Sequence, residues 1–147
     1  MQKVSNENNT MSVRVALDYV HAINVADVSK LYSLMTHDFL FIDSQDNQVI
    51  GNDRMKDSWI GYFSMFTDYK IEVVRVIEKD SFVCLFGYAS GTYKGLKNEA
   101  NSNYWRVPAA WTAIVRDDKV KQWQVYADNT FAIEILNRNE NTSRGEK

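Results

Sequence analysis

The sequence contains few of the residues that mark metal, disulfide or phosphate chemistry. It has one cysteine, Cys84, one proline, Pro108, and two histidines, His21 and His37, among 147 residues. A single cysteine excludes an intrachain disulfide and a multi-cysteine metal site. The histidine and acidic residues show no metal-ligand spacing, and no glycine-rich phosphate loop occurs. We therefore expect no metal and no cofactor.

Clustered basic charge and long apolar runs are also absent. The net charge is −2, and no basic stretch is longer than two residues, which argues against a nucleic-acid partner. No segment approaches the roughly 20 apolar residues of a membrane span. Residues 1–10 are polar and lack an apolar signal core. We expect no membrane association, and the cytoplasm is the predicted compartment.

The length and composition indicate one globular domain. The 147 residues are close to the commonest domain size, and aromatic residues reach 13%. Aromatic side chains fill cores and line apolar cavities alike. Both ends are polar, so we expect a disordered tail over residues 1–10, a domain over 11–136, and a flexible tail over 137–147.

The first half has the periodicity of helices. Apolar residues recur at helical spacing over 13–23, 28–35 and 55–66. Thr10 or Ser12 could cap the first helix, and Asp27 the second. The last segment carries an i, i+4, i+7, i+8, i+11 stripe, and a short strand over 39–43 precedes it.

The second half predicts four strands, over 70–79, 81–93, 104–117 and 119–129. Helices followed by consecutive antiparallel strands indicate an α+β domain. A strongly curved sheet wrapped around three N-terminal helices would make a cone with an internal pocket.

Three segments resemble a known superfamily. They are the first-helix segment 18–27, the strand 39–43 with its turn and Gly51, and the last strand 123–128. Over residues 11–132 the chain is similar to the nuclear-transport-factor-two-like superfamily, in particular to ketosteroid isomerases and SnoaL-like polyketide cyclases. The resemblance implies a cystatin-like cone. It also implies a homodimer that forms through the open sheet face.

The resemblance implies three candidate catalytic residues. Asp43 ends the apolar strand at the position of the isomerases' general base, and desolvation there would favour proton abstraction next to a carbonyl. Tyr19 lies 24 positions earlier, the isomerase interval to the oxyanion-stabilising tyrosine. In ketosteroid isomerase, a tyrosine and a neutral carboxylic acid together donate hydrogen bonds to the oxyanion. Asp128 matches the acid/base aspartate of the cyclases. Each could instead be structural: a turn residue, a packing residue and a loop contact.

The sequence departs from both enzyme patterns. The isomerases' second oxyanion donor, an aspartate, lies on the strand that here covers 110–114, where no carboxylate occurs. Thr112 is the nearest polar side chain and a weaker donor. The strand histidine of the cyclases is missing too, since His21 and His37 lie in the helical half.

Aromatic residues supply the predicted walls of the pocket. Besides the ligand-binding residues named next, the candidate walls include Tyr62 and Trp105. About a third of the candidates are expected to touch a cavity. The predicted ligand-binding residues are Trp59, Phe63, Phe86, Trp111, Thr112, Trp123 and Tyr126.

Two functions stay open at this point. One is a cofactor-independent isomerase, cyclase or dehydratase that acts on a small hydrophobic carbonyl compound. The other is a noncatalytic pocket protein that holds a small hydrophobic ligand. Dimerisation, with Arg116, Gln122, Gln124 and Tyr126 facing outward, is compatible with both.

Overall fold

The chain forms four helices and six strands. The computed structural model describes residues 9–95 and 103–143, with side chains through residue 140. In chain order the elements are α1 (Met11–Asn24), α2 (Val28–Leu34), β1 (Met35–Ile42), β2 (Gln48–Ile50), α3 (Asn52–Met65), β3 (Lys70–Lys79), β4 (Phe82–Thr92), β5 (Tyr104–Arg116), β6 (Lys119–Ala127) and α4 (Thr130–Ser143).

The first two helices begin at the predicted caps. The Thr10 hydroxyl accepts a hydrogen bond from the Val13 amide at 3.3 Å, and the Asp27 carboxylate accepts one from the Lys30 amide at 3.0 Å. Each cap satisfies an amide that has no partner inside the helix. The two contacts therefore fix where α1 and α2 start.

The six strands form one curved sheet in the order β2-β1-β6-β5-β4-β3. Two-residue turns join β3 to β4 and β5 to β6, and the first turn residue in each, Asp80 and Asp117, has a positive φ. Aspartate tolerates that conformation better than most residues. The predicted antiparallel pairing is confirmed for the four long strands. The strand β1 differs, because it runs parallel to β6. The chain can make this pairing because α3 and the other four strands lie between β1 and β6 in the sequence.

The helices α1, α2 and α3 pack on one face of the sheet. The core cluster includes Ala16, Tyr19 and Ile23 of α1, Leu31 of α2 and Trp59 of α3, all at most 5% exposed. The sheet curves around these helices without closing, so the predicted α+β cone is confirmed. No helix in the described part of the chain is long and apolar enough to cross a membrane.

The C-terminal segment differs from the prediction. Residues 137–143, expected in a flexible tail, continue α4. Asn139 is 3% exposed, and its side-chain amide donates to the Asn103 side chain at 3.0 Å and to the Ile135 carbonyl at 2.8 Å. These bonds and the burial of Ile135 hold the helix against the start of β5. Residues 1–8 and 144–147, also predicted as tails, lie outside the described residues.

Candidate functional site

A cavity of about 260 Å³ lies between α3 and the concave face of the sheet. Most of its walls are apolar, and six of the fifteen lining residues are aromatic. The lining residues are Phe41, Asp43, Ser44, Met55, Ser58, Trp59, Tyr62, Tyr69, Ala89, Trp105, Val107, Trp123, Val125, Ala127 and Asn129.

Ordinary periodicity brings these side chains together. Met55, Trp59 and Tyr62 follow at i, i+4 and i+7, so they share one face of α3. Strand alternation points alternate residues of β6, which include Trp123 and Val125, toward the helices. The cavity is therefore the space that remains between one helix stripe and the inward face of the sheet.

The lining carries little charge. Among the described lining residues, Asp43 is the one charged side chain. Burial raises the pKa of Tyr62 well above its ordinary value, and the neighbouring Tyr69 raises it further. Burial also raises the pKa of Tyr69, and the nearby Trp111 indole offsets part of that rise. Both phenols are therefore neutral at physiological pH.

Asp43 lines the cavity where β1 ends. Its Oδ1 atom accepts hydrogen bonds from the backbone amides of Gln45 and Asn47, each at 2.9 Å, and its Oδ2 atom accepts one from the Asn47 side chain at 3.2 Å. These contacts hold the carboxylate in one orientation in the β1–β2 turn. Asp43 and Ser44 are both partly exposed, which marks this side as the mouth of the cavity.

Tyr19 lies behind the cavity wall and does not line it. Its side chain is fully buried, and its hydroxyl accepts a hydrogen bond from the Trp59 indole at 3.1 Å. Its ring centroid lies 4.8 Å from that of Trp123 and 6.3 Å from that of Trp59. The candidate catalytic residues Tyr19 and Asp43 do not converge on one cavity, because the indole rings of Trp59 and Trp123 stand between Tyr19 and that space.

Asp128 is exposed and lies outside the cavity. Its Oδ1 atom accepts hydrogen bonds from the Thr130 hydroxyl at 2.6 Å and the Thr130 amide at 3.1 Å. These bonds lower the pKa of Asp128. The carboxylate therefore fixes the start of α4, the structural role that was left open for it.

Two of the seven predicted ligand-binding residues, Trp59 and Trp123, line the cavity. Phe63 stacks on Trp59, with 5.2 Å between ring centroids, but does not line it. Trp111 is fully buried in the core and does not line the cavity either. The other three do not reach the cavity, because strand alternation turns them to the outer face of the sheet: Phe86, Thr112 and Tyr126.

Phe41 and Tyr69 are the aromatic lining residues that sequence reasoning missed. Phe41 lies on β1, whereas Tyr69 lies outside every predicted element. It follows α3 and comes just before β3, so neither a helical nor a strand pattern covers it. Its ring packs edge-on against Tyr62, with 5.0 Å between centroids. Tyr62 and Trp105, two of the candidate walls, do line the cavity. Within the described residues, no group of three or more potential ligands could hold a metal ion.

Solved structures with this fold cover most of the chain. A proposed SnoaL-like polyketide cyclase from Shewanella denitrificans is 14% identical, with a TM-score of 0.74, over 88% of this chain and 99% of that one. An LEH-like epoxide hydrolase from M. tuberculosis is 12% identical, with a TM-score of 0.72, over 88% and 92%. A hypothetical protein from Catenulispora acidiphila with a ketosteroid isomerase-like fold, in complex with trimethylamine, is 13% identical, with a TM-score of 0.70, over 82% and 89%.

These likenesses establish the fold. No protein with a curated description matches the sequence. The sequence profile of the SnoaL-like domain matches residues 16–123, which include most of α1, all of α2 and α3, and most of the sheet. The chain therefore belongs to the SnoaL-like domain family.

Proposed function

We propose that this protein binds a small hydrophobic molecule in the cavity between α3 and the sheet. The observation that carries the proposal is the aromatic lining of a 260 Å³ space with one charged group at its margin. Binding sites for small molecules are typically concave and apolar with few polar groups. An apolar cavity of about 150 Å³ holds benzene, so this volume suits a ligand of one or two rings.

A cavity-filling substitution tests the proposal. Val107 lines the cavity and is half-buried, so Val107→Trp should place an indole inside it and block the ligand. Tetralin is a suitable probe, followed by the quenching of tryptophan fluorescence. We expect saturable binding to the wild type and at least tenfold weaker binding to the variant.

The control is Val74→Trp, the same substitution at an exposed position of β3. It should bind tetralin as the wild type does. If the wild-type protein binds no apolar probe, or if the two variants bind equally, the cavity is not a binding site.

A second candidate function is proton transfer by Asp43, because its position on the cavity places a carboxylate at the edge of an apolar space. The test is deuterium exchange at the carbon next to the carbonyl of 2-tetralone, followed by proton NMR. Asp43→Asn keeps the Oδ1 acceptor for Gln45 and Asn47 but removes the base. We expect exchange to return to the buffer rate while binding changes by less than about threefold.

The matched control is Asp46→Asn, an exposed residue of the same turn. It should leave the exchange rate unchanged. Equal rates in the wild type, Asp43→Asn and buffer alone would leave the noncatalytic binding function in place and remove the enzymatic one.

We also propose a homodimer through the outer face of the sheet. Phe86, Ala110 and Tyr126 lie side by side there across β4, β5 and β6, and Phe86 and Tyr126 are 39% and 48% exposed. Phe86→Lys should yield a monomer in light scattering after size exclusion. Ile60→Lys, at an exposed position on α3, should not. A wild-type monomer at high concentration would contradict this assembly.

A further inference from the structure

The cavity wall formed by β5 contains a hydrogen-bond donor without a protein partner. Trp105 lines the cavity and is 6% exposed, and within the described residues its indole nitrogen has no hydrogen-bond partner. An indole N–H can only donate. Buried polar groups almost always have a partner, since leaving one unpaired costs its full desolvation. An acceptor atom of a ligand would remove that cost.

Two phenols stand beside this donor. The Tyr69 ring centroid lies 6.1 Å from that of Trp105 and 5.0 Å from that of Tyr62, and all three residues line the cavity. The raised pKa of each phenol keeps its proton in place. Burial is the main cause in both, and no hydrogen bond counteracts it at Tyr62. Trp105, Tyr62 and Tyr69 form a group of neutral donors, here called the donor cluster.

Trp105, the member of the donor cluster that lies on the sheet, is far from Asp43 along it. Ile42 of β1 pairs with Gln124 of β6, so Asp43 follows at the level of Val125, which pairs with Trp111 of β5. Trp105 precedes Trp111 by six residues, which is about 20 Å along a strand. An acceptor bound by the Trp105 indole is therefore held away from Asp43.

The charge of the lining selects among acceptors. The described lining residues include no lysine, arginine or histidine, and Asp43 is acidic. A carboxylate would lose its hydration in this apolar space without gaining a counter-charge. An uncharged oxygen, such as that of a ketone, ester or ether, loses much less hydration free energy and gains hydrogen bonds from the donor cluster.

We propose that Trp105, Tyr62 and Tyr69 anchor an uncharged hydrogen-bond acceptor of the ligand and so orient the ligand with its opposite end toward Asp43. This inference rests on the proposed binding function. It assigns the specificity of the cavity to residues other than Tyr19 and Thr112. The anchored oxygen is also distinct from any group that Asp43 would deprotonate, so proton transfer from 2-tetralone to Asp43 requires the ligand to bind in the reverse orientation.

A pair of isosteric probes tests the anchor. In 2-methylenetetralin a CH₂ group replaces the carbonyl oxygen of 2-tetralone, so the two differ mainly in the acceptor. We expect the wild type to bind 2-tetralone about 3- to 10-fold more tightly, the gain of one net hydrogen bond. Tetralin-2-carboxylate should bind more weakly than either. In Trp105→Phe, and separately in Tyr62→Phe, the preference for 2-tetralone should fall toward one.

The matched control is Trp123→Phe, the same substitution at a cavity residue of β6 that pairs with Phe41. It should weaken both probes equally and keep their ratio. A preference retained in Trp105→Phe and Tyr62→Phe, or tighter binding of the carboxylate, would overturn the anchor. If 2-methylenetetralin binds and the wild-type ratio is one, the anchor fails and the binding function stands. If no probe binds, both fail. Should Trp105→Phe not fold, Tyr62→Phe and Tyr69→Phe give the same test.

Discussion

Gly87 lies on β4, opposite the point where β3 bends. Its replacement by alanine measures how closely the backbones of β3 and β4 approach there. Gly87 pairs with Val73, and the register shifts by one residue before Arg75, which leaves Val74 as a bulge. A Cβ atom on Gly87 would lie 1.8 Å from the Glu72 carbonyl oxygen and 2.9 Å from its carbon. Since real Cβ contacts essentially never fall below 3.0 Å, the strands must separate by at least 1.2 Å at that oxygen. The atom that must move belongs to the backbone of β3, so no side-chain rotation relieves the contact.

Two opposing effects set the magnitude. Alanine in a strand interior gains about 0.5–1 kcal/mol over glycine. Overpacking that shifts the backbone costs about 1–3 kcal/mol, and a clash with a carbonyl belongs at the upper end. We expect Gly87→Ala to lower the free energy of unfolding by about 2 kcal/mol. At about 3 °C per kcal/mol for a chain of this size, Tm should fall by about 6 °C.

The matched control is Gly61→Ala. Gly61 is exposed on α3, and nothing lies within 4 Å of an added Cβ. Helix propensity alone should then stabilise this variant by about 1 kcal/mol. Urea unfolding followed by circular dichroism measures both variants. If Gly87→Ala matches or exceeds the wild type in stability, the tight contact at the bulge, and the bend in β3 that depends on it, are refuted.

Three further predictions concern single side chains. Tyr19→Phe removes the acceptor of the buried Trp59 indole, so the free energy of unfolding should fall by about 1–3 kcal/mol; a double-mutant cycle with Trp59→Phe should show coupling, and additivity would contradict the bond. Hydrogen bonding to Arg116 lowers the pKa of Asp38 to about 2. The stability from this pair is therefore present above the ordinary aspartate pKa and is lost as the pH falls toward 2. In Arg116→Ala the NMR titration midpoint of Asp38 should rise, and an unchanged midpoint would rule out the pairing. The pKa of Asp128 is lowered mainly by the Thr130 hydroxyl, so its contribution is likewise lost in acid; Asp128→Ala should speed amide exchange in the first turn of α4, and unchanged exchange would exclude the capping role.

The sequence predicted those parts of the fold that local patterns determine. Three helices, two of them with their caps, and four long strands follow from periodicity and turn residues, which act within a few positions. The parallel β1–β6 pairing depends on contacts between distant segments, and no local pattern indicates it. The short strand β2 is not predicted for the same reason, since its three residues have partners only in β1.

The fourth helix was missed although the sequence carried a signal for it. Asp128 and Thr130 form a helix-start pattern, and Ile135 and Asn139 lie four residues apart on one face. The second half of this helix, residues 137–143, is wholly polar, and the burial of Asn139 there depends on Asn103 next to β5. A buried amide pair between distant asparagines is visible only once the fold has brought them together.

The site was predicted in the same uneven way. Trp59 and Trp123 follow from a helix stripe and strand alternation, and both line the cavity. The same alternation, applied to all strands, would have excluded Thr112 and Tyr126 from the predicted cavity lining. Their neighbours along the strand face the helices, so these two side chains face the other side of the sheet. Tyr69 lies between two elements, so only the closed structure shows that it faces the cavity.

The positions of the polar groups decide between the two functions. Proton abstraction next to a carbonyl requires a base and an oxyanion donor on adjacent atoms of the substrate. Here the base candidate Asp43 is at the mouth, Tyr19 is behind two indole rings, and Trp105 of the donor cluster lies about 20 Å from the level of Asp43 along the sheet. A ligand can satisfy the donors and Asp43 together only if it carries two polar groups separated by an apolar body. Such a division of polar groups holds and orients a molecule, and it stabilises an enolate at Asp43 far less, so binding is the function that the geometry favours.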